Sequence, residues 1–331
     1  MHLMENGKIF DEYLSIADDQ YTSTCDEFSR SMRNGFWTVE LFNFGSDIQD
    51  FKTKLSPEEQ ELVIKTLAVI GNVECRVKTW WWKLGLTLPR RSFIDLGITM
   101  AHTEVIHFEA YTKLIKVLDM QESFEATKEN PLILGRDKYL GKYAHRYYKD
   151  SKKQFVYAMI LFTLFMENVS LFSQFYLILW LGRYKNVLKD TNQQVMYTKN
   201  EELVHSRVGI WIVNEARKEY PELFDDEMME RVLAEAKEAF EWESKIIDWL
   251  LNGYTGERLN PSVIKEYIKS RINESMEQIG YSKPFEINAE LARDYEWMDE
   301  EVLGNNLTDF FYKRPVNYSK SNKSFDANDL F

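Results

Sequence analysis

Cysteine, proline and glycine are all scarce in this chain, and each scarcity excludes something. Two cysteines, Cys25 and Cys75, among 331 residues cannot build a disulfide framework, and no Cys-x-x-Cys is present. That usage fits a reducing compartment, and the expected location is cytoplasmic. Seven prolines and 14 glycines, set among abundant Leu, Ile, Glu and Lys, argue for a helix-rich protein. Basic residues are outnumbered, 41 Lys and Arg against 53 Asp and Glu, for a formal net charge of −12. A nucleic-acid surface needs clustered cations to neutralise phosphates, so no nucleic-acid partner is expected. Neither G-x-x-x-x-G-K-[ST] nor G-x-G-x-x-G occurs, which removes the common phosphate-cradling loops. The N-terminal MHLMENGKIFDEY lacks the basic-then-apolar order of a secretion signal.

What is present is helix-forming sequence. Ser56-Pro57-Glu58-Glu59 combines an N-cap, a Pro at the first helical position and a capping-box Glu, opening a helix that runs to about residue 84. A second helix is expected over about 92–120, then a looser region over 121–149, then a long apolar helix over about 151–188. Thr191 with Gln194 suggests the cap of the next, which stops at Tyr220 because Pro221 disfavours continuation. Further helices are expected over 225–251 and 261–278. From about 282 the pattern fades. The fold class is therefore all-α: one helical-bundle domain over 1–285, followed by a mostly extended, flexible tail over 286–331. Residues 155–181 imitate a membrane span. Yet Glu167, Asn168, Ser170, Ser173 and Gln174 sit in the middle, where lipid would penalise them. The segment fits the central helix of a bundle, apolar all round because it is surrounded, and no membrane association is expected.

Two Glu-x-x-His pairs, Glu104/His107 and Glu202/His205, carry the chemistry. Residues three apart share a helix face, so each pair offers one oxygen and one nitrogen ligand to a common point. Each pair also follows a lone Glu in an apolar helical stretch, Glu74 before the first and Glu167 before the second. Four carboxylates and two imidazoles from four helices are the set that helical bundles use to hold two iron or manganese ions. Two such pairs can arise by chance in an acidic chain, and burial is the stronger argument. Glu167 lies in FTLFMENVSLF, where an unpaired charge would be prohibitively costly. For Glu74 the alternative is an ion pair with Arg76. His102, His145 and His2 fall off the pattern and are expected to be structural or exposed.

Glu104-Val-Ile-His107-Phe-Glu-Ala-Tyr111 resembles the ligand helix of the small, radical-generating subunit of class I ribonucleotide reductase. The similarity continues through Phe36-Trp37, the Glu167 helix, Glu201-Glu202-Leu-Val-His205, Glu296-Trp297-Met298 and Asp309-Phe310-Phe311. It ends with Val316-Asn317-Tyr318-Ser319-Lys320 and the terminal Asp329-Leu330-Phe331. The resemblance implies a ferritin-like fold and a dinuclear centre, Fe/Fe, Mn/Mn or Mn/Fe, oxidised by dioxygen or superoxide. Glu74, Glu104 and His107 would hold one ion, and Glu167, Glu202 and His205 the other. Trp37 would lie on the electron-transfer path, with Glu201 linking it to His107, and Tyr318 would pass the oxidising equivalent to the large catalytic subunit. Leu330 and Phe331 would dock on that subunit, and the small subunit would form a homodimer.

Three departures from the family pattern stand out. Glu74 and Glu201 replace the usual Asp, and Leu171 with Phe175 replaces a Phe-rich shell. A Glu at the first ligand position is similar to branches whose oxidant is a manganese-containing cluster, so Tyr111 is either a radical site or a buried neighbour of the metals. The rival enzyme class is a ferritin-like di-metal oxidase or monooxygenase component, which needs neither Trp37 nor the tail. A helical scaffold protein would leave Glu167 without a partner.

Overall fold

The computed structural model describes residues 7–303, and among them helices account for the architecture, with two isolated bridges and no sheet. Eleven helices matter here. They are α1 (Thr22–Asn34), α2 (Gly45–Thr53), α3 (Pro57–Trp82), α4 (Arg91–Val117), α5 (Gln121–Lys128), α6 (Pro131–Leu140), α7 (Ser151–Lys185), α8 (Lys189–Glu219), α9 (Asp226–Leu251), α10 (Pro261–Gln278) and α11 (Ala289–Leu303).

Local chemistry sets where most of them begin. The Ser56 hydroxyl accepts from Glu59 N at 3.3 Å while the Glu59 carboxylate accepts from Ser56 N at 2.9 Å, a reciprocal capping box for α3. Asn130, Asp150, Asp225 and Asn260 cap α6, α7, α9 and α10, and prolines occupy the first position of α6 and α10. The start of α8 corrects the sequence expectation, because Thr191 and Gln194 do not cap it. The caps come from α2 instead. Asp47 accepts from Asp190 N at 3.2 Å and from Thr191 N at 2.7 Å, and Asp50 accepts from Leu188 N at 3.1 Å. Two carboxylates at a helix N-terminus satisfy amides that a Thr hydroxyl could not all reach. Neither α1 nor α2 was expected, since both are short and carry no side-chain cap of their own.

The long apolar segment is the axis of the bundle. It is α-helical over Ser151–Met159, π-helical over Ile160–Ser170, and α-helical again from Phe172 before a second π turn. It is the one described helix long and apolar enough to cross a membrane, and 94% of its most apolar window is buried by protein. α3, α8, α9 and α10 pack around it, and α4 lies along α3. Close approach has a strict requirement at Gly209 on α8, where a Cβ would overlap the Thr163 side chain on α7. That crossing sits one turn beyond His205.

The expected extended tail is corrected over Ala289–Leu303, which is helical and packs on α10. Trp297 and Met298 are buried there, and the Trp297 indole donates to the Tyr176 hydroxyl at 3.2 Å. A sparse apolar pattern among Glu and Asp concealed this helix, whose burial rests on few large side chains.

Gly209→Ala is expected to destabilise the fold by about 1–3 kcal/mol through overpacking at the α7–α8 crossing. Urea unfolding followed by circular dichroism measures it, and an unchanged midpoint would show that the crossing relaxes freely.

Candidate metal centre

Four helices deliver six side chains to one point in the core. α3 supplies Glu74, α4 supplies Glu104 and His107, α7 supplies Glu167, and α8 supplies Glu202 and His205. All six are at most 1% exposed. Their ligand atoms form two groups, Glu74/Glu104/His107/Glu202 and Glu104/Glu167/Glu202/His205, each within 4.8 Å. The sequence reading divided the ligands three and three. The geometry adds that Glu104 and Glu202 belong to both groups, each with an oxygen toward either imidazole. His107 Nδ1 lies 3.4 Å from Glu104 and 3.2 Å from Glu202, and His205 Nδ1 lies 3.1 Å and 3.4 Å from the same two residues. Glu74 and Glu167 stand at the outer ends, 3.8 Å from His107 and 3.6 Å from His205.

The hydrogen-bond balance tests whether cations fit. Both oxygens of Glu74 and of Glu104, one oxygen each of Glu167 and Glu202, and Nδ1 of both histidines are buried without a hydrogen-bond partner. Leaving that many polar atoms bare costs about 1–3 kcal/mol each, more for charged groups. Two divalent cations held among these residues would satisfy them. Carboxylate oxygens with one imidazole per position suit iron or manganese, and the described residues offer no thiolate there. The buried group therefore fits a dinuclear metal site.

The outward-facing atoms are all engaged, which fixes the inward ones. His107 Nε2 meets Glu201 at 2.6 Å, and the same Glu201 oxygen accepts from Trp37 Nε1 at 3.0 Å. Because Glu201 accepts from both, Nε2 of His107 carries a proton, and Nδ1 is the atom left to face a cation once its own proton is lost. The Trp37 and His107 rings stack with centroids 6.3 Å apart. At the other position the Thr103 hydroxyl donates to the Met100 carbonyl at 2.7 Å, so it accepts from His205 Nε2 at 3.1 Å. Trp81 donates from Nε1 to Glu167 at 2.8 Å, and its ring lies 5.4 Å from that of His205. Trp81 was not identified from the sequence. The available signal is its place seven residues after Glu74, two turns along the same face of α3.

Charge is unevenly held among these groups. Burial pushes the carboxyls of Glu74 and Glu167 well above the ordinary range, and neighbouring carboxylates add to the effect. Burial also opposes charge on Glu104, but His205 and His107 outweigh it and hold Glu104 down at about 2. Burial alone would keep the imidazoles neutral, yet the carboxylates around them raise both well above the usual histidine value.

Tyr111, one turn after His107, is buried, and its phenol is raised by burial and by the nearby Glu74. A cavity of about 290 Å³ is lined by both residues, with Phe108, Phe124, Lys116 and Lys128 also in its wall. Leu171 and Phe175 are fully packed. His102 stacks on Phe36 away from the centre, and His145 is exposed, as expected. Tyr318, the terminal Leu330 and Phe331, His2 and the Arg76 side chain fall outside what the structure describes.

A bundle that buries four carboxylates and two imidazoles around two cation positions defines the di-metal carboxylate class of helical proteins. Residues 20–291 match the family model described as ribonucleotide reductase, small chain, and the chain belongs to that family. It is 23% identical over 303 residues to the ribonucleoside-diphosphate reductase subunit beta of Treponema pallidum, covering 90% of this chain and 85% of that one. In fold it resembles the ribonucleotide reductase R2 subunit from Clostridium botulinum, with a TM-score of 0.76, 21% identity, and coverage of 84% and 88%. It also resembles an R2-like ligand-binding oxidase with a Mn/Fe cofactor, with a TM-score of 0.66, 19% identity, and coverage of 82% and 99%.

Manganese(II) is expected to bind at two ions per chain. Glu74→Ala should retain one ion and Glu202→Ala neither, because Glu202 serves both groups. Loading at neutral pH should release protons, since the raised carboxyls and imidazoles hold them and must lose them to bind a cation. Affinity should therefore rise with pH. Titration calorimetry in buffers of different ionisation heat reads both effects, and loading without proton release would contradict this charge assignment.

Proposed function

We propose that this chain is the small subunit of a class I ribonucleotide reductase acting on ribonucleoside diphosphates, working as a cytoplasmic homodimer with a larger catalytic subunit. The observation that carries the reading is the continuous link Trp37–Glu201–His107, at 3.0 and 2.6 Å, from an indole to an imidazole at the metal position. A di-metal oxidase that acts on its own substrate has no need of such a link. Glu201 does here what the family's Asp does, with one more methylene.

The chemistry that a bound Fe/Fe, Mn/Mn or Mn/Fe pair supplies is storage of one oxidising equivalent, set up by dioxygen or superoxide. The protein's own residues prepare its export. Glu201 holds the His107 proton at one oxygen and stands ready to take the Trp37 Nε1 proton as the indole gives up an electron. Tyr318 then relays the oxidising equivalent outward, while Leu330 and Phe331 anchor the tail on the large subunit. Exposed Trp82 and Leu86, with Ile98 and Val105 on the outer face of α4, offer an apolar surface for the homodimer contact.

One observation favours a second reading, a ferritin-like oxidase acting on its own substrate. The apolar cavity beside Glu74 and Tyr111 is large enough for a small organic molecule. Reconstitution with the cognate large subunit separates the two. Conversion of a ribonucleoside diphosphate to its deoxy form is expected. Trp37→Phe should slow it roughly a hundredfold, about 2.7 kcal/mol in barrier, with metal content unchanged. Turnover that is indifferent to Trp37 would defeat the reading, as would oxidation of an added organic substrate without the large subunit.

Electron paramagnetic resonance of the oxidised protein decides the place of Tyr111. A tyrosyl signal that disappears in Tyr111→Phe makes it the radical site. A metal-centred signal that survives the substitution makes it a packing neighbour.

A further inference from the structure

The part of α7 that carries Glu167 is π-helical, and what keeps it so lies outside the six ligands. In a π turn each amide bonds five residues back. Where the helix returns to four-residue bonding the register skips a carbonyl, which must find another donor or stay bare. Side chains from two other helices supply donors at this point. Arg271 of α10 donates from Nε to the Asn168 carbonyl at 3.0 Å, and from a terminal nitrogen to the Asn168 side-chain oxygen. Arg136 of α6 donates to the Ser170 carbonyl at 2.6 Å. Ser275, one turn after Arg271, accepts from the Asn168 amide at 2.7 Å and donates to the Leu164 carbonyl at 3.4 Å.

The two arginines differ in charge balance. Arg136 also donates to Glu243 at 2.7 Å, a buried ion pair. Arg271 is 3% exposed and no carboxylate among the described residues pairs with it; its guanidinium lies 3.8 Å over the Phe172 ring. A buried cation without a counter-charge is costly, and this one gives its hydrogen bonds to Asn168, the residue next to Glu167. Nothing in the packing of α10 alone calls for a guanidinium there, since Met or Leu would fill the space without the desolvation cost.

We propose that Arg271 is a positioning residue for Glu167: by gripping the backbone and side chain of Asn168, it fixes the wide turn that brings the Glu167 carboxylate to the position it shares with Glu104, Glu202 and His205. Ser275 and Asn168 complete the latch between α10 and α7. The inference rests on the two-cation reading of the site. It assigns the two positions different mechanical supports, because Glu74 comes from a regular α-helical segment and Glu167 from a propped one.

Manganese(II) titration of the full chain tests it, followed by calorimetry and by electron paramagnetic resonance. Wild type should bind two ions and give the signal of a coupled pair. Arg271→Met should keep the ion on the Glu74 side and bind the second at least tenfold more weakly, so that an isolated manganese signal appears at one equivalent. Arg271→Lys, which can still reach the Asn168 carbonyl, should recover much of the second affinity. Equal weakening of both ions in Arg271→Met would mark general loosening and overturn the positioning role, as would unchanged binding of both. If Arg271→Met does not fold, Asn168→Ala and Ser275→Ala decide: selective loss of the second ion supports the latch, and unchanged affinity in both overturns it. A wild type that binds no manganese or iron overturns the two-cation reading itself.

Discussion

The mutual repulsion of Glu74, Glu104, Glu167 and Glu202, confined with two imidazoles inside the buried core, is the force that the surrounding bundle must contain. Carboxylates this close would separate in water or take up protons. Here they are held from four different helices, so relieving the repulsion would mean moving whole helices that also bury the apolar core. The centre is consequently strained toward cations. It pulls protons onto its histidines and outer carboxyls when nothing else balances the charge, and it gains most from divalent ions that replace them.

The layer behind the ligands explains why the centre has direction. Each imidazole is oriented by a bond on its far side, but the two bonds differ in kind. His205 leans on a hydroxyl that passes its own proton to a backbone carbonyl, which ends the network inside α4. His107 leans on a carboxylate that also holds an indole, and so leads out of the centre. Trp81 marks the opposite side, bound to Glu167 and packed on Phe162 and His205. A site built of two nearly equivalent halves is thus made unequal by its neighbours, a carboxylate and an indole behind His107 and a hydroxyl behind His205.

The clustering of these six residues was legible in the sequence because helical spacing and burial constrain them together. Glu-x-x-His twice, with isolated carboxylates in apolar helices, leaves few other arrangements. The contact of Glu201 with Trp37 and His107 was expected only from family resemblance, since an acidic residue beside Glu202 has no periodicity of its own. The sharing of Glu104 and Glu202 was not legible, because it depends on how four helices converge. Trp81 was hidden in the run Trp80-Trp81-Trp82, where only its two-turn spacing from Glu74 says which indole turns toward the centre. The π segment was invisible too. Its widening is maintained by Arg136 and Arg271, about thirty residues before and a hundred residues after it. The capping of α8 by α2 failed to register for the same reason, being a set of contacts across 138 and 144 residues.

The central helix has a consequence during synthesis. Ser151–Lys185 emerges from the ribosome before α8, α9 and α10, three of the four helices that finally cover it. Until they follow, only α3 and its neighbours are available, and one flank of a segment apolar enough for a bilayer stands open to water. Such an intermediate invites aggregation or capture by membrane-targeting factors. The buried polar residues around Glu167, chosen for the finished centre, also make the nascent segment a poor substrate for lipid insertion. The same carboxylate that waits for a metal thereby helps keep the unfinished chain in solution.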